Sequence, residues 1–298
     1  MKTKWSPRPL DPVRDRSAVR DLWELALGAR WPIHAETLAA SMPLAYGLGD
    51  TEKLSGAIGF DETGAISFVM VDPSRRREGI GRALHQAAVA HLAATKPELT
   101  LGGAHSFWRG IPDNLPDAPP FFTALGWTLG ATVVDMTMPL AGFTVDPAAI
   151  ARADAIGVRF SFATKDDADD VIAYEGREHP NWTNYFRRRF PDEPGSVIVG
   201  RDRVGDVVAA SLIDLPPKHR GRWSRILGED MAEIGCIGVS ASLNGQGIGT
   251  AMVALATAEV QRAGARLAFL AWTTRTDFYA RLGYKVWHAY QTATRAAS

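Results

Sequence analysis

The chain has 298 residues, 46% hydrophobic and 22% charged, apolar matter enough for one large core or two ordinary ones, and at roughly 150 residues per domain two are expected. Disorder, collagen and a disulfide-stapled miniprotein are excluded by that composition. The 33 basic and 33 acidic side chains cancel and neither half is polarised, so no overall field draws nucleic acid or an anionic membrane. The lone Cys236 cannot form an intrachain disulfide, and the opening MKTKWSPRPLDPVRDR lacks the apolar stretch of a secretion signal. With no apolar run near roughly 18 residues, a soluble cytoplasmic protein is expected.

Read in chain order, the sequence contains one passage twice. From Val71 it runs VDPSRRREGIGRALHQAAVAHL, and from Val239 it runs VSASLNGQGIGTAMVALATAEV, without a gap, at an offset of 168. In each, a glycine turn opens a helical stripe: Ile80, Leu84, Ala87 and Ala88 first, then Ile248, Met252, Leu255 and Ala256. FFTALGW (residues 121–127) pairs with FYARLGY (residues 278–284) at an offset of 157, so the first copy carries eleven extra residues, assigned to the Pro-rich WRGIPDNLPDAPP. One domain used twice is expected, residues 1–145 and 155–298, with the boundary in the stretch 140–157.

In the second copy a strand at Val158–Phe162 precedes the helix TKDDADDVIAYEG, where Thr164 stands before acidic first-turn residues. SVIVGRD and VVAASLI around the turn at Gly205 predict a hairpin, and EIGCIGV a further strand. After the glycine-led helix come a buried strand RLAFLAW, a short helix TDFYARLG ended by Gly283, and a last strand YKVWHAYQTA.

A strand running into a glycine-rich turn and then a helix makes a phosphate site, because the first helical N–H groups have no internal partner. Neither loop is a P-loop, since the lysine is absent, nor the G-x-G-x-x-G of a dinucleotide fold, and no G-x-S-x-G elbow occurs. Arg76-Arg77-Glu78-Gly79-Ile80-Gly81 and Asn244-Gly245-Gln246-Gly247-Ile248-Gly249 resemble the [Q/R]-x-x-G-x-[G/A] signature of the GNAT superfamily of N-acyltransferases. FYARLGY resembles that family's aromatic-Tyr-x-x-x-Gly-aromatic hallmark. The resemblance implies two successive α/β domains, each a mixed sheet with a splayed strand pair for the pantetheine arm of acetyl-CoA. It implies cofactor contacts at Ile237, Gly238, Val239, Asn244, Gly245, Gln246, Gly247, Ile248, Gly249 and Thr250, and at Met70, Val71, Arg76, Arg77, Glu78, Gly79, Ile80, Gly81 and Arg82 in the first copy.

Acyl transfer to an amine needs a proton for the departing thiolate and a base for the amine. The resemblance assigns the first to Tyr279 and the second to Glu233, six residues before Val239; the first copy has Phe122 and Ala65 there. The second copy is expected to be catalytic and the first to serve binding or scaffolding. Asn244 departs from the signature, and the family's frequent Asn before the last helix is replaced by Thr273 and Thr274.

Arg187, Arg188, Arg189, Lys218, His219, Arg220, Arg222 and Arg225 are read as a solvated rim, or as a site for an acidic acceptor or a phosphate. Trp182, Trp223 and Trp272 read as core or as an apolar acceptor pocket, and Cys236 as a small packing residue. No histidine spacing suggests a metal. The expected activity is acetyl transfer from acetyl-CoA to an amine of a small molecule or peptide, in a ternary complex, by a monomer or homodimer. The alternatives are a non-catalytic acyl-CoA sensor or scaffold, and a biosynthetic acyltransferase of the mycothiol synthase type.

Overall fold

The computed structural model describes residues 4–103, 106–216 and 222–297. Two compact units emerge, Met1–Val134 with Gly221–Ile226 and His288–Ser298, and Asp135–Arg220 with Leu227–Trp287.

The first unit begins with β1 (Arg8–Pro9), α1 (Arg16–Trp23) and α2 (Ala35–Ala40). Strands β2 (Leu44–Gly49), β3 (Leu54–Phe60) and β4 (Ala65–Val71) form an antiparallel meander. Helix α3 (Ile80–Ala93) returns the chain so that β5 (Glu98–Leu101) lies parallel to β4. The short β6 (Ile111–Pro112), from the Pro-rich insert, is followed by α4 (Ala118–Thr123) and β7 (Thr128–Pro139). The strand order is β1-β2-β3-β4-β5-β13, and β6 pairs with the same last strand, whose residues from His288 belong to this unit. Its core lies between α3 and the sheet, built on Ile58, Phe60, Ile66, Leu84, Leu99 and Trp127.

The stretch read as a boundary holds a helix, α5 (Pro147–Ile156). Asp146 caps it by accepting from the Ala148 amide at 2.9 Å, Pro147 supplies a first residue that needs no N–H partner, and Gly157 ends it in the left-handed conformation (φ 94°).

The second unit repeats the plan: β8 (Arg159–Phe162), α6 (Ala168–Glu178), α7 (Thr183–Arg189), β9 (Val197–Arg201), β10 (Val207–Asp214), α8 (Ser224–Leu227, mostly within the first unit), β11 (Met231–Val239), α9 (Ile248–Arg262), β12 (Leu267–Thr273), α10 (Thr276–Ala280) and β13 (Lys285–Ala296). The strand order is β7-β12-β11-β10-β9-β8, with β11 and β12 parallel. Asp167 closes the turn before α6 by accepting from the Thr164 amide at 2.7 Å and its hydroxyl at 2.9 Å, the capping that the acidic start predicts. In α9 the apolar stripe bends away from Glu259 and continues through Thr257 and Val260; the Thr257 hydroxyl is satisfied by the Val253 carbonyl (2.7 Å) and the Tyr284 hydroxyl (2.8 Å). Val171, Tyr174, Phe186, Val197, Val199 and Leu212 pack α6 and α7 onto the sheet.

Candidate active site

Both glycine loops reach their helices in the same way. Gly79 (φ 87°, ψ 2°) and Gly247 (φ 89°, ψ −1°) stand at the N-caps of α3 and α9, a conformation that glycine enters without a Cβ clash. The first capping bonds run from the Ala83 and Ala251 amides to the Gly79 and Gly247 carbonyls, leaving the amides of Ile248, Gly249 and Thr250 without a backbone acceptor among the described residues. A second left-handed position falls on Gly245 (φ 78°) in the second loop and on Arg77 (φ 66°) in the first. Consecutive outward amides at a helix N-terminus fit a diphosphate. The Gln246 side chain is spent inside the loop, donating to the Ser242 carbonyl at 3.0 Å. Exposed Arg152 of α5 brings its Nε to 3.5 Å from where a Cβ on Gly247 would stand. In the first unit the comparable position holds Trp5, whose Nε1 donates to the Glu78 carbonyl at 2.8 Å while Arg75 lies over its ring at 5.0 Å.

Upstream of each loop the sheet opens. β11 and β12 are in register from Met231 with Leu267 to Ile234 with Leu270, after which β11 runs on to Val239 with no partner residue on β12. β4 and β5 pair only at Ala65 with Thr100 and Ile66 with Leu101. On its other edge β11 carries a bulge: Ala210 faces Gly238 and Leu212 faces Gly235, so Cys236 and Ile237 share one place, and Cys236 takes φ 48°.

Tyr279 lies on α10, which Phe278 anchors to the first turn of α9, its Cζ 3.5 Å from the Cβ position of Gly249, with Val239 at 3.7 Å. Phe121, Gly81 and Val71 repeat that contact in the first unit at 3.2 and 3.6 Å. The Tyr279 ring packs on Phe278 (4.8 Å) and Tyr284 (6.1 Å), and its hydroxyl has no hydrogen-bond partner among the described residues. Burial pushes the phenol up to about 12, so it remains a proton donor at neutral pH. Glu233 is half-buried near the start of β11, opposite Asp214 of β10 and Phe269 of β12. Burial first, then the carboxylates of Glu175, Glu233 and Asp214, push the Cys236 thiol up to about 12, which leaves it a protonated packing group.

A cleft of about 320 Å³ opens where α7 meets β10, lined by Arg189, Asp192, Glu193, Ser196, Ile213 and Asp214. Arg189 pairs with Asp214 and with Glu193 (3.1 Å). Of the other arginines read as a rim, Arg187 is exposed and holds Asn184 at 2.6 Å, and Arg188 is exposed. Arg222 and Arg225 bind carbonyls of the first unit, Ser106 at 3.2 Å and Ile33 at 3.0 Å, and Trp223 packs there against Phe107 and Trp31. Lys218, His219 and Arg220 lie outside the described residues. At the splayed end of β12, Trp272 (φ 55°) donates its amide to Asp135 at 2.9 Å, Thr273 accepts from the Arg275 amide at 3.0 Å, and Thr274 is exposed.

The sequence profile of the acetyltransferase (GNAT) family matches residues 17–109 and again 163–284, one match in each repeat. The chain belongs to the GNAT family. A mycothiol acetyltransferase of Clavibacter sepedonicus is 27% identical over 223 residues, 71% of this chain and 65% of that protein, so the chain spans less than two thirds of this relative. Among solved structures, a GCN5-related glucosamine N-acetyltransferase region of a fungal multi-domain β-N-acetylglucosaminidase superposes with TM-score 0.88 at 23% identity, over 99% of this chain and 38% of that one. A tandem GNAT protein from the clavulanic acid pathway superposes with TM-score 0.68 at 17% identity, over 99% of both chains.

Two polar residues of this GNAT chain escape a reading by motif. Glu175 and His179, one turn apart at the end of α6, face Gly238, where a Cβ would stand 2.5 Å from His179 Nε2 and 3.5 Å from Glu175 Oε1. A weak third repeat could have marked the place: Gly28-Ala29-Arg30-Trp31-Pro32 and Gly176-Arg177-Glu178-His179-Pro180 align at an offset of 148, setting Leu27 against Glu175 and Trp31 against His179. Among the described residues no group of three or more His, Cys, Asp and Glu is arranged to hold a metal ion, and no helix is long and apolar enough to cross a membrane.

Proposed function

We propose that the second unit transfers the acetyl group of acetyl-CoA directly to an amine of a small molecule or peptide within a ternary complex. The observation that carries this reading is Tyr279, a buried, protonated phenol with an unengaged hydroxyl, next to Phe278, which packs on the first turn of the helix that the glycine loop opens. The free amides of α9 and Arg152 suit the diphosphate of the donor, and the gap between β11 and β12 suits its extended arm. Glu233 takes a proton from the attacking nitrogen as the amide bond forms, and Tyr279 gives one to the thiolate that leaves. The names of the mycothiol and glucosamine acetyltransferases favour a small amine-bearing acceptor. Residues 1–145, with Phe122 and Ala65 at these places and Trp5 on the loop, serve as a binding or scaffolding partner without turnover. We place the protein in the cytoplasm.

The test is release of free thiol from acetyl-CoA in the presence of amines, D-glucosamine included, comparing the full chain with Tyr279→Phe and Phe122→Tyr. Turnover lost in the first variant and unaltered in the second is expected. Turnover unaffected by Tyr279→Phe removes the assigned acid; no turnover with any amine, alongside two tight coenzyme A sites by calorimetry, favours the sensor.

A further inference from the structure

Both carboxylate oxygens of Glu175 and the Nε2 of His179 are buried without a hydrogen-bond partner, and Glu175 is 0% exposed. Buried polar atoms are nearly always paired, and each that is not costs about 1–3 kcal/mol. Nothing in the fold requires polarity here. Leu27 and Trp31 align with these positions in the first unit, and both are buried apolar side chains, Trp31 at 0% exposure. The place is also defined on the strand side. Gly238 is compatible with His179 only because it has no Cβ, its counterpart in the first unit is buried Met70, and a Cβ on Gly235 would meet nothing within 4 Å. Two of these three unsatisfied atoms, His179 Nε2 and Glu175 Oε1, therefore face Gly238 of the bulged strand, beyond the point where β11 and β12 part.

We propose that Glu175 and His179 form the receptor for the primary amine of the acceptor, the imidazole being the movable cover and the carboxylate the group that receives the ammonium. The proposal rests on the transferase reading above and adds to it the place where the nitrogen docks. His179 is half-buried, its ring tilted against that of half-buried Trp182 at 4.9 Å, and in the proposed site this ring swings aside to admit the amine. Burial holds the Glu175 carboxyl at about 8, matched to an amine, and lowers His179 so that it stays neutral. The titratable groups facing Glu175 are Tyr174 on α6, His179 at its end and the Cys236 thiol on β11, while Glu178 acts on Tyr174 and His179.

An ammonium must lose two protons to become an amide nitrogen. Ionised Glu175 takes the first, leaving a neutral amine. The amine attacks the thioester carbon, the new C–N bond forms, and Glu233 takes the second proton. The C–S bond breaks with its electron pair on sulfur, which receives the Tyr279 proton. Glu233 then reprotonates Tyr279, and Glu175 loses its proton to solvent by way of His179.

Calorimetry on the full chain loaded with coenzyme A tests the assignment. D-Glucosamine and n-hexylamine are titrated at pH 7 against D-glucose and 1-hexanol, in two buffers of different ionisation enthalpy. At least one amine is expected to bind about tenfold more tightly than its neutral counterpart, with release of close to one proton as Glu175 ionises. Glu175→Gln abolishes both the preference and the proton release, Glu175→Asp keeps part of each, and coenzyme A affinity changes in neither. Absence of the preference in the wild type, or its persistence in Glu175→Gln, overturns the proposal. Acetyl transfer with Glu175→Gln at the wild-type rate removes this site and leaves the transferase reading standing. Amine preference lost in Glu175→Gln without any turnover in the wild type does the reverse.

Discussion

The same seven positions of the same strand are written twice, as Ala65-Ile66-Ser67-Phe68-Val69-Met70-Val71 in the first unit and as Glu233-Ile234-Gly235-Cys236-Ile237-Gly238-Val239 in the second. Ile66 and Ile234 are both buried and both end the parallel register, so the side of the strand that builds the core is conserved between the copies. The other positions diverge in size and polarity. In the first unit Phe68 meets Trp23 at 5.6 Å, and Trp23 stacks on Trp108 at 5.5 Å and meets Phe107 edge-on at 5.4 Å, an aromatic filling. In the second, two glycines and a small thiol leave space that Glu175 and His179 face. A duplicated strand can thus remain a strand while one copy is filled with aromatic core and the other leaves space beside polar side chains.

The largest break in this comparison should come from Tyr279→Phe, which writes the first unit's residue into the second. Acetyl transfer is expected to fall about 10²-fold to 10³-fold, in kcat, with coenzyme A affinity retained by calorimetry. Gly238→Ala should follow. A Cβ 2.5 Å from the His179 ring forces that side chain aside, with a stability cost of about 1–3 kcal/mol and at least about tenfold loss of kcat/KM for the acceptor, read by thermal unfolding and steady-state kinetics.

The third prediction concerns pH. Glu175 has a folded pKa of about 8 against an ordinary 4.5, so the native state binds more protons than the unfolded chain between those values. Its contribution to stability is complete below about pH 4.5 and is lost as pH rises through about 8. Glu175→Gln should therefore flatten the pH dependence of denaturant unfolding and make the chain more stable at pH 9 by a few kcal/mol, whereas Leu27→Gln in the first unit destabilises at every pH. An unfolding curve for Glu175→Gln that keeps the wild-type slope with pH contradicts this. The smallest effect is expected for Arg152→Ala: exposed beside the second loop, this guanidinium should contribute about threefold to coenzyme A affinity, and the difference should vanish at high salt.

Most of the frame was legible in the residues because it depends on local rules. Glycine at the helix caps, the acidic start before α6 and the apolar runs of β9 to β12 each specify their element from a few neighbouring positions. The gap between β11 and β12 follows from the resemblance to the GNAT family. Glu175 was not legible, since a glutamate near the end of an amphipathic helix has the sequence signature of a solvated one, and only the placement of α6 over Gly238 buries it. The arginines of the 218–225 stretch were read from their charge; for Arg222 and Arg225 the decisive facts are long-range bonds to main-chain carbonyls that no spacing encodes.

The membership of the two units carries a consequence for the history of the chain. The first unit includes His288–Ser298 and the second begins at Asp135, before the helix that fills the apparent boundary. A cut within residues 140–157 would therefore strip each half of a strand segment that belongs to it and leave it holding one that belongs to the other. Neither copy can then be removed whole by a single excision at the apparent boundary. The gene encodes neither unit as a contiguous stretch, so loss of one repeat would disrupt the other.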